Sequence, residues 1–580
     1  MRLFRLNWKH NTNQKIARVS LAKGTESGKK ELIKKSMKRI KYSVYIPVLL
    51  AIAVVIGIVI GNKLARNSGS NLKSVATSQS GKLDAIIDLI QSEYVDSIST
   101  DTLVEKTIPL LLKNLDPHTA YIPAKEMVGV EEEMSGKFGG IGVQFSIQND
   151  TVMVVDVVSG GPSSKLGILP GDRIVKVNDT LMVGSGLKNE KVLSKLRGNK
   201  GTKVKVGIKR KGFKELFDFQ ITRGEIPIFS VDVSYMIDPT TGYIKVSRFG
   251  ETTYDEFLEG MKKLQQEGMK TVIVDLRGNP GGYLNAVIRM VNEFLDKGAL
   301  IVYTKGNAQP KKTYVADSKG QYRDKGIVVL IDDFSASASE IFAGAIQDND
   351  RGWIIGRRSF GKGLVQEQIP FNDGSAMRLT VARYYTPSGR CIQKPYNKGT
   401  DEYYKDIMDR AIHGEFQKAD SIHYSDTLKY RTTSGRVVHG GGGVMPDLFV
   451  PADTTGYSDY YLKITQKGLV YQYALDYADS HRKKFSKEAG INEFEADLQK
   501  TDILTSFVDF AAKKGVKANP KDLKISSKII DCQIKAYIAR NILGETGFYP
   551  IIKNIDNTLL QAIKKAQEPM PKKTTSAVTK

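Results

Sequence analysis

Ile327-Val328-Val329-Leu330-Ile331 is followed, after three residues, by Ser335-Ala336-Ser337-Ala338-Ser339-Glu340-Ile341-Phe342. The first run is apolar without alternation, as expected of a strand covered on both faces. The second opens a helix whose apolar positions are Ile341, Phe342, Ala345 and Ile346. A serine at such a junction stands at the carboxyl end of a sheet, beside a helix N-terminus that favours developing negative charge. Taken alone, the segment reads better as a cap, with Ser337 at the N-cap and Glu340 completing a capping box.

Two neighbouring segments change that balance. Thr271-Val272-Ile273-Val274-Asp275-Leu276 is a second buried-strand run, and Gly278-Asn279-Pro280-Gly281-Gly282 follows it. Such a turn can be no more than a tight loop, or it can offer free backbone N–H groups to an oxyanion. Trp353-Ile354-Ile355 leads into Ser359-Phe360-Gly361-Lys362-Gly363-Leu364-Val365-Gln366, where a lysine stands between two glycines. Strands alternating with amphipathic helices from about 226 to 450 predict an α/β unit with a mainly parallel sheet.

Upstream, from about 137 to 223, short β-rich runs replace this pattern. Val152-Met153-Val154-Val155 and Lys203-Val204-Lys205-Val206-Gly207-Ile208 flank Leu169-Pro170-Gly171-Asp172-Arg173-Ile174-Val175-Lys176-Val177-Asn178 and a helix near 190–197. With Gly140-Ile141-Gly142-Val143 in front, the series resembles a PDZ domain. The glycines let backbone N–H groups turn inward to cradle a terminal carboxylate. The strand after them can pair with an extended peptide.

From about 83 to 450 the chain resembles the carboxy-terminal processing (tail-specific) proteases. The resemblance is carried by the helical segment, the PDZ-like series, Asp275-Leu276-Arg277 with Asn279, Gly281 and Gly282, the Ser335–Glu340 stretch, and Phe360-Gly361-Lys362-Gly363 with Gln366. Gly440-Gly441-Gly442-Gly443-Val444-Met445-Pro446-Asp447 matches a further family stretch. The resemblance implies Ser337 as nucleophile, Lys362 as general base and Gln366 as the residue orienting the lysine. It implies an oxyanion hole made by the N–H of Ala338 with that of Gly281 or Gly282. It also implies a core of ClpP/crotonase-like type, an acyl-enzyme route and no cofactor or metal. Protein substrates with accessible C-terminal tails would be the partners, with room for a homo-oligomer or an activator protein.

The chemistry is self-consistent. No histidine lies in the three segments, and lysine serves as a base only when burial lowers its pKa from near 10.4. One tension remains: in an extended strand Lys362 and Gln366 would lie about 13 Å apart.

Residues 44–61 are apolar and uncharged over about 18 residues, enough to cross a bilayer core. Lys34, Lys35, Lys38, Arg39 and Lys41 precede them, which predicts a cytoplasmic N-terminus. No small-x-small site follows in Asn62-Lys63-Leu64-Ala65-Arg66, so an anchor is favoured over a cleaved signal. Translation could begin at Met1 or Met37. The expected location is the inner membrane, single-pass, with the catalytic part in the periplasm.

The expected organisation is a basic tail (1–43), an anchor (44–62), a linker (63–82) and a helical segment (83–124). A PDZ domain (125–223) precedes the protease core (224–455), which carries a polar insertion at about 398–436. A C-terminal helical region (456–566) and a disordered tail (567–580) complete the chain. The net charge of +23 comes in good part from the N-terminal tail, and no basic stripe is interleaved with aromatics. A nucleic-acid partner is not expected. Cys391 and Cys532 match no metal spacing, and a bridge between them is left open.

Other motif readings fail on context. Gly356 to Lys362 matches a P-loop start, but Gly363 stands where Ser or Thr is needed and a strand pattern follows. Ser359-x-x-Lys362 and Ser70-x-x-Lys73 lack the companion motifs of penicillin-binding enzymes. The rival of a different class is an inactive, membrane-tethered PDZ scaffold.

Overall fold

The computed structural model describes residues 47–61, 81–148, 150–422, 426–482, 484, 485 and 490–569. The expected basic tail, most of the linker, the two ends of the apolar block (44–46 and 62) and the extreme C-terminus lie outside these. The chain divides into two units, 1–100 and 101–580. In the first, residues 47–61 form one helix with every residue exposed. Among the described residues no helix is long and apolar enough to cross a membrane. The stripe of Leu83, Ile86, Ile87 and Ile90 lies on the helix Lys82–Glu93, which buries none of its residues.

In the second unit the catalytic segments grow from one six-stranded sheet. Its strands are β1 (Val231–Met236), β2 (Thr241–Val246), β3 (Thr271–Asp275), β4 (Gly326–Ile331), β5 (Trp353–Gly356) and, at the far edge, Leu448–Phe449. β1 and β2 are antiparallel; every other pairing in the sheet is parallel. The apolar runs behave as their composition requires. Val272, Val274, Ile327, Val329 and Ile331 face the helices α1 (Thr253–Gln266), α2 (Leu284–Asn292) and α3 (Ala338–Asp348). Ile273, Val328 and Leu330 point to the opposite face, the period-2 alternation of a strand.

That opposite face is covered by the end of the chain. After the long helix α4 (Pro520–Leu543) come α5 (Glu545–Ile552) and α6 (Asn557–Ala566), and Leu559, Ala562 and Ala566 pack on the sheet. A second sheet lies beside the first, where β6 (Leu364–Pro370) pairs with β7 (Ala376–Tyr385) and β7 with Ala120–Ile122 and Leu300–Lys305. The stretch expected as a polar insertion holds the helix Thr400–Ile412 and a small hairpin, Lys429–Arg431 with Val437–His439.

The PDZ-like module precedes this core as a separate antiparallel sheet, Val143–Gln148, Thr151–Val157, Arg173–Val177, Lys203–Lys209 and Leu216–Thr222 in spatial order. Its own core includes Val152, Val154, Ile174 and Val206. The strands on either side of the module, Lys137–Gly140 and Gly224–Pro227, pair with each other. Cys391 and Cys532 are free thiols.

Leu559 is 2% exposed on the closed face of the sheet. Leu559→Ala should cost about 2–5 kcal/mol of stability, read as a lower denaturation midpoint in urea at unchanged slope.

Candidate active site

The chain turns sharply after β4, and Asp332 sets the turn by accepting from the N–H groups of Phe334 and Ser335. The same carboxylate accepts from Gly278 N–H at 2.9 Å, so the loops after β3 and β4 are tied together. Ser335 Oγ donates to Leu276 O at 2.8 Å and Ser339 Oγ to Asn279 O at 2.9 Å. Both serines are fully buried, while Ser337 between them is reached by solvent. Ser337 holds φ +54° and ψ −112° at the N-cap of α3. A non-glycine residue there costs about 1–3 kcal/mol and persists only when its surroundings enforce it.

They do so through Glu340, in the first turn of α3. Its Oε2 accepts from Ser337 N–H and from Lys362 N–H, both at 2.8 Å. Its Oε1 accepts from Gly361 N–H at 2.7 Å and Ser359 Oγ at 2.5 Å. The capping role expected of Glu340 is thus one of four bonds, and the other three reach the lysine loop. Burial pushes this carboxyl up to about 7, against the pull of those four donors.

A second bridge joins the same two loops. The buried Tyr384 hydroxyl, on β7, lies 3.0 Å from Ser337 O and 2.5 Å from Lys362 O, and its single proton is shared between the two carbonyls, the shorter contact being to Lys362. Lys362 is half-buried. Burial lowers its ammonium pKa, helped by the Arg378 charge and opposed by Glu340 and Asp116.

The loop after β3 closes the other side. A Cβ on Gly281 (φ +99°) would lie 2.7 Å from Ser337 Cβ and 2.9 Å from Ala338 N, and one on Gly282 (φ +145°) would collide with the Phe249 carbonyl. Only glycine allows this approach. Gly281 N–H is already given to Asn279 Oδ1 at 2.8 Å. The N–H groups of Gly282 and of Ala338, at the first position of α3, have no partner among the described residues. Arg277 anchors the loop from below. It pairs with buried Asp275 and reaches Asp556, at the start of α6, with two bonds of 2.8 and 2.7 Å. Although burial raises it, the charges of Arg277 and Lys245 hold Asp275 well below the usual carboxylate range.

Gln366 lies in β6, next to a register shift in the β6–β7 pairing. Its amide donates to Thr380 Oγ1 at 3.4 Å, and Thr380 Oγ1 donates to Asp116 Oδ1 at 3.1 Å. No hydrogen bond joins it to Lys362 among the described residues, in keeping with the separation that an extended strand imposes.

Several neighbours were not legible as site residues. His118 bonds Tyr403 Oη at 3.0 Å, and its pKa is lowered to about 4, by burial first and then by the charge of Lys362. Tyr403 and Asp406 come from the helix of the insertion. Asp406 holds Lys394 at 2.8 Å, and the backbone N–H of Lys394 bonds Gly361 O. Arg410, from the same helix, donates to the carbonyls of Ser359 and Arg358. The signal available was the polarity of 398–436, which carried no hint of where it folds.

In the PDZ-like module, Gly140, Ile141, Gly142 and Val143 line a cavity of about 330 Å³ with Leu193 and Arg197. Val143–Gln148 is an edge strand of its sheet, open on the cavity side of the order, which is the arrangement peptide addition requires.

The peptidase family S41 profile matches residues 240–402 and a PDZ domain profile residues 139–221. A carboxy-terminal-processing protease of Bartonella bacilliformis is 36% identical over 335 residues, 57% of this chain and 76% of the relative. The chain belongs to this family. The carboxy-terminal processing protease CtpA of Bacillus subtilis is also 36% identical, over 56% of this chain and 69% of its own. A solved photosystem II D1 C-terminal processing protease is 27% identical over 54% of this chain and 90% of its own, with a TM-score of 0.31. By the two profiles and the two curated relatives, the chain is a C-terminal processing serine peptidase in which a PDZ domain precedes an S41 core. Residues 460–544 match a family of unknown function (DUF8443).

Tyr384→Phe removes one hydroxyl from two carbonyls of the site. The variant should lose about 1–3 kcal/mol of stability and a larger share of kcat than of KM, measured by urea unfolding and steady-state peptide cleavage.

Proposed function

We propose that this protein is a membrane-anchored endopeptidase that captures C-terminal tails of protein substrates in its PDZ domain and cleaves them with Ser337 and Lys362. The observation that carries the reading is the double tie between the two loops: one carboxylate oxygen accepts from the N–H of both residues, and one tyrosine hydroxyl shares its proton between their carbonyls. Nothing in a plain α/β scaffold needs a serine in a left-handed conformation held against a half-buried lysine.

In this reading neutral Lys362 takes the proton from Ser337 Oγ as the oxygen attacks the scissile carbonyl carbon. The oxyanion develops against the N–H groups of Ala338 and Gly282, the pair without other partners among the described residues. Lys362 then gives its proton to the departing amine, and water hydrolyses the acyl-enzyme with Lys362 again as base. Burial supports the base role, because it disfavours the charged ammonium. Gln366 acts through Thr380 and Asp116, whose carboxylate lies within the field of Lys362. The exposed apolar helix at 47–61, with the basic residues before it, supports an anchor with the catalytic part on the far side of the inner membrane.

Full-length protein in detergent, incubated with an unstructured protein bearing an apolar tail, should cleave it, followed by intact mass. Ser337→Ala should abolish cleavage, and Lys362→Arg should too, since arginine keeps the charge but cannot act as a base. For the wild type, kcat/KM should rise with pH through the lowered pKa of Lys362. Tail binding without cleavage by the wild type would instead favour the scaffold reading.

The anchor has its own test. Membranes from expressing cells should retain the protein through alkaline carbonate washing, and deletion of residues 1–62 should release it to the soluble fraction. A full chain that washes off would overturn the anchor.

A further inference from the structure

Ser337 and Lys362 belong to loops that follow different strands, so something other than chain connectivity must fix their spacing. Sequence alone asks of Glu340 one thing, the return bond of a capping box, and Ser337 N–H supplies it. The structure gives this carboxylate three further donors, all on the lysine loop: Ser359 Oγ, Gly361 N–H and Lys362 N–H. A carboxylate has about four lone-pair sites, and here all are filled. Glu340 is 0% exposed, and none of the ion pairs among the described residues includes it. Its charge is held by backbone N–H groups, one hydroxyl and the start of α3.

The bonding continues outward. Ser359 Oγ accepts from Val444 N–H at 2.7 Å, and Ser359 N–H donates to Val444 O. The Gly440–Asp447 stretch is thereby fastened to the same carboxylate through one hydroxyl. The titratable groups that feel the Glu340 charge are Lys362, Tyr384, Tyr403 and Cys391.

We infer that Glu340 is the positioning residue of the Ser337–Lys362 pair: its Oε2, shared by the two backbone N–H groups, sets the distance between nucleophile and base. The inference rests on the Ser–Lys reading above. Glutamine cannot replace it, because an amide offers one acceptor atom and turns an N–H₂ group toward two donors. Aspartate keeps the charge but is one methylene too short to reach both loops.

The test compares the full-length wild type, Glu340→Gln, Glu340→Asp and Ser337→Ala in detergent. It uses the same tailed substrate, a fluorophosphonate to titrate reactive serine, and thermal melting to measure the folded fraction. Per folded molecule, both Glu340 variants should lose about 100-fold in kcat, the scale of a misplaced reacting group, with KM within about twofold because tail capture lies in the PDZ domain. The acid limb of the pH–kcat profile should move to lower pH in Glu340→Gln, where the charge that favours ammonium is gone, and stay in place in Glu340→Asp. Wild-type kcat per folded molecule in either variant would overturn the inference, as would an unmoved limb in Glu340→Gln. If Glu340→Gln does not fold, Glu340→Asp carries the decision by its kcat alone. Activity in Ser337→Ala would sink the Ser–Lys reading itself, whereas an inactive Ser337→Ala beside a fully active Glu340→Gln would sink only the positioning role.

Discussion

A carboxylate buried without a cation is costly, and it persists only where hydrogen bonds replace the water it has lost. Glu340 meets that condition with four donors drawn from two loops. The requirement runs in both directions: the loops satisfy the charge, and the charge fixes the loops. Ser337 and the turn at Gly361-Lys362-Gly363 both bond this one group, and the Gly440–Asp447 stretch reaches it through Ser359 Oγ beside its own bonds to Cys391, Ile392 and Arg358. Tyr384 closes the ring from the other side by sharing its hydroxyl proton between the carbonyls of the same two residues. Each residue of the pair is held by its N–H and by its C=O, which leaves its side chain as the free part.

The second constraint is the sheet that presents the loops. Parallel strands must be covered on both faces, and here the two covers come from different parts of the chain. α1, α2 and α3 lie close in sequence to the strands they pack on. The other face waits for α6, which begins over two hundred residues after β4 ends. Arg277 connects this cover to the chemistry, since it grips Asp556 at the start of α6 while standing four residues before Gly281. The C-terminal helical region is thus joined to the loop that faces the nucleophile.

Much of this could be read from residues alone, because short-range patterns have local causes. Continuous apolar runs marked β3 and β4, the turn Gly278–Gly282 stood out as a source of free N–H groups, and the Ser335–Glu340 stretch marked a strand-to-helix junction. Which of the serines faces solvent was supplied by the family resemblance, and in the structure the burial of Ser335 and Ser339 leaves Ser337 as the reachable one. What stayed hidden depended on contacts between distant segments. Glu340 looked like a cap because its first bond is local. The helix Thr400–Ile412 looked like a plain polar insertion because the partners of Arg410, the carbonyls of Arg358 and Ser359, are backbone atoms, and those of Tyr403 and Asp406, His118 and Lys394, lie in other segments. His118 carried no motif in the sequence and sits within the field of the lysine.

The late position of α6 also orders events in the life of the molecule. A chain emerging stepwise presents both catalytic loops long before residues 557–566 arrive to cover the bare face of the sheet. Until then Ile273, Val328 and Leu330 are wet, and Arg277 lacks one of its two carboxylates. A nascent polypeptide that stops short of α6 therefore holds both residues of the catalytic pair and still lacks the finished scaffold.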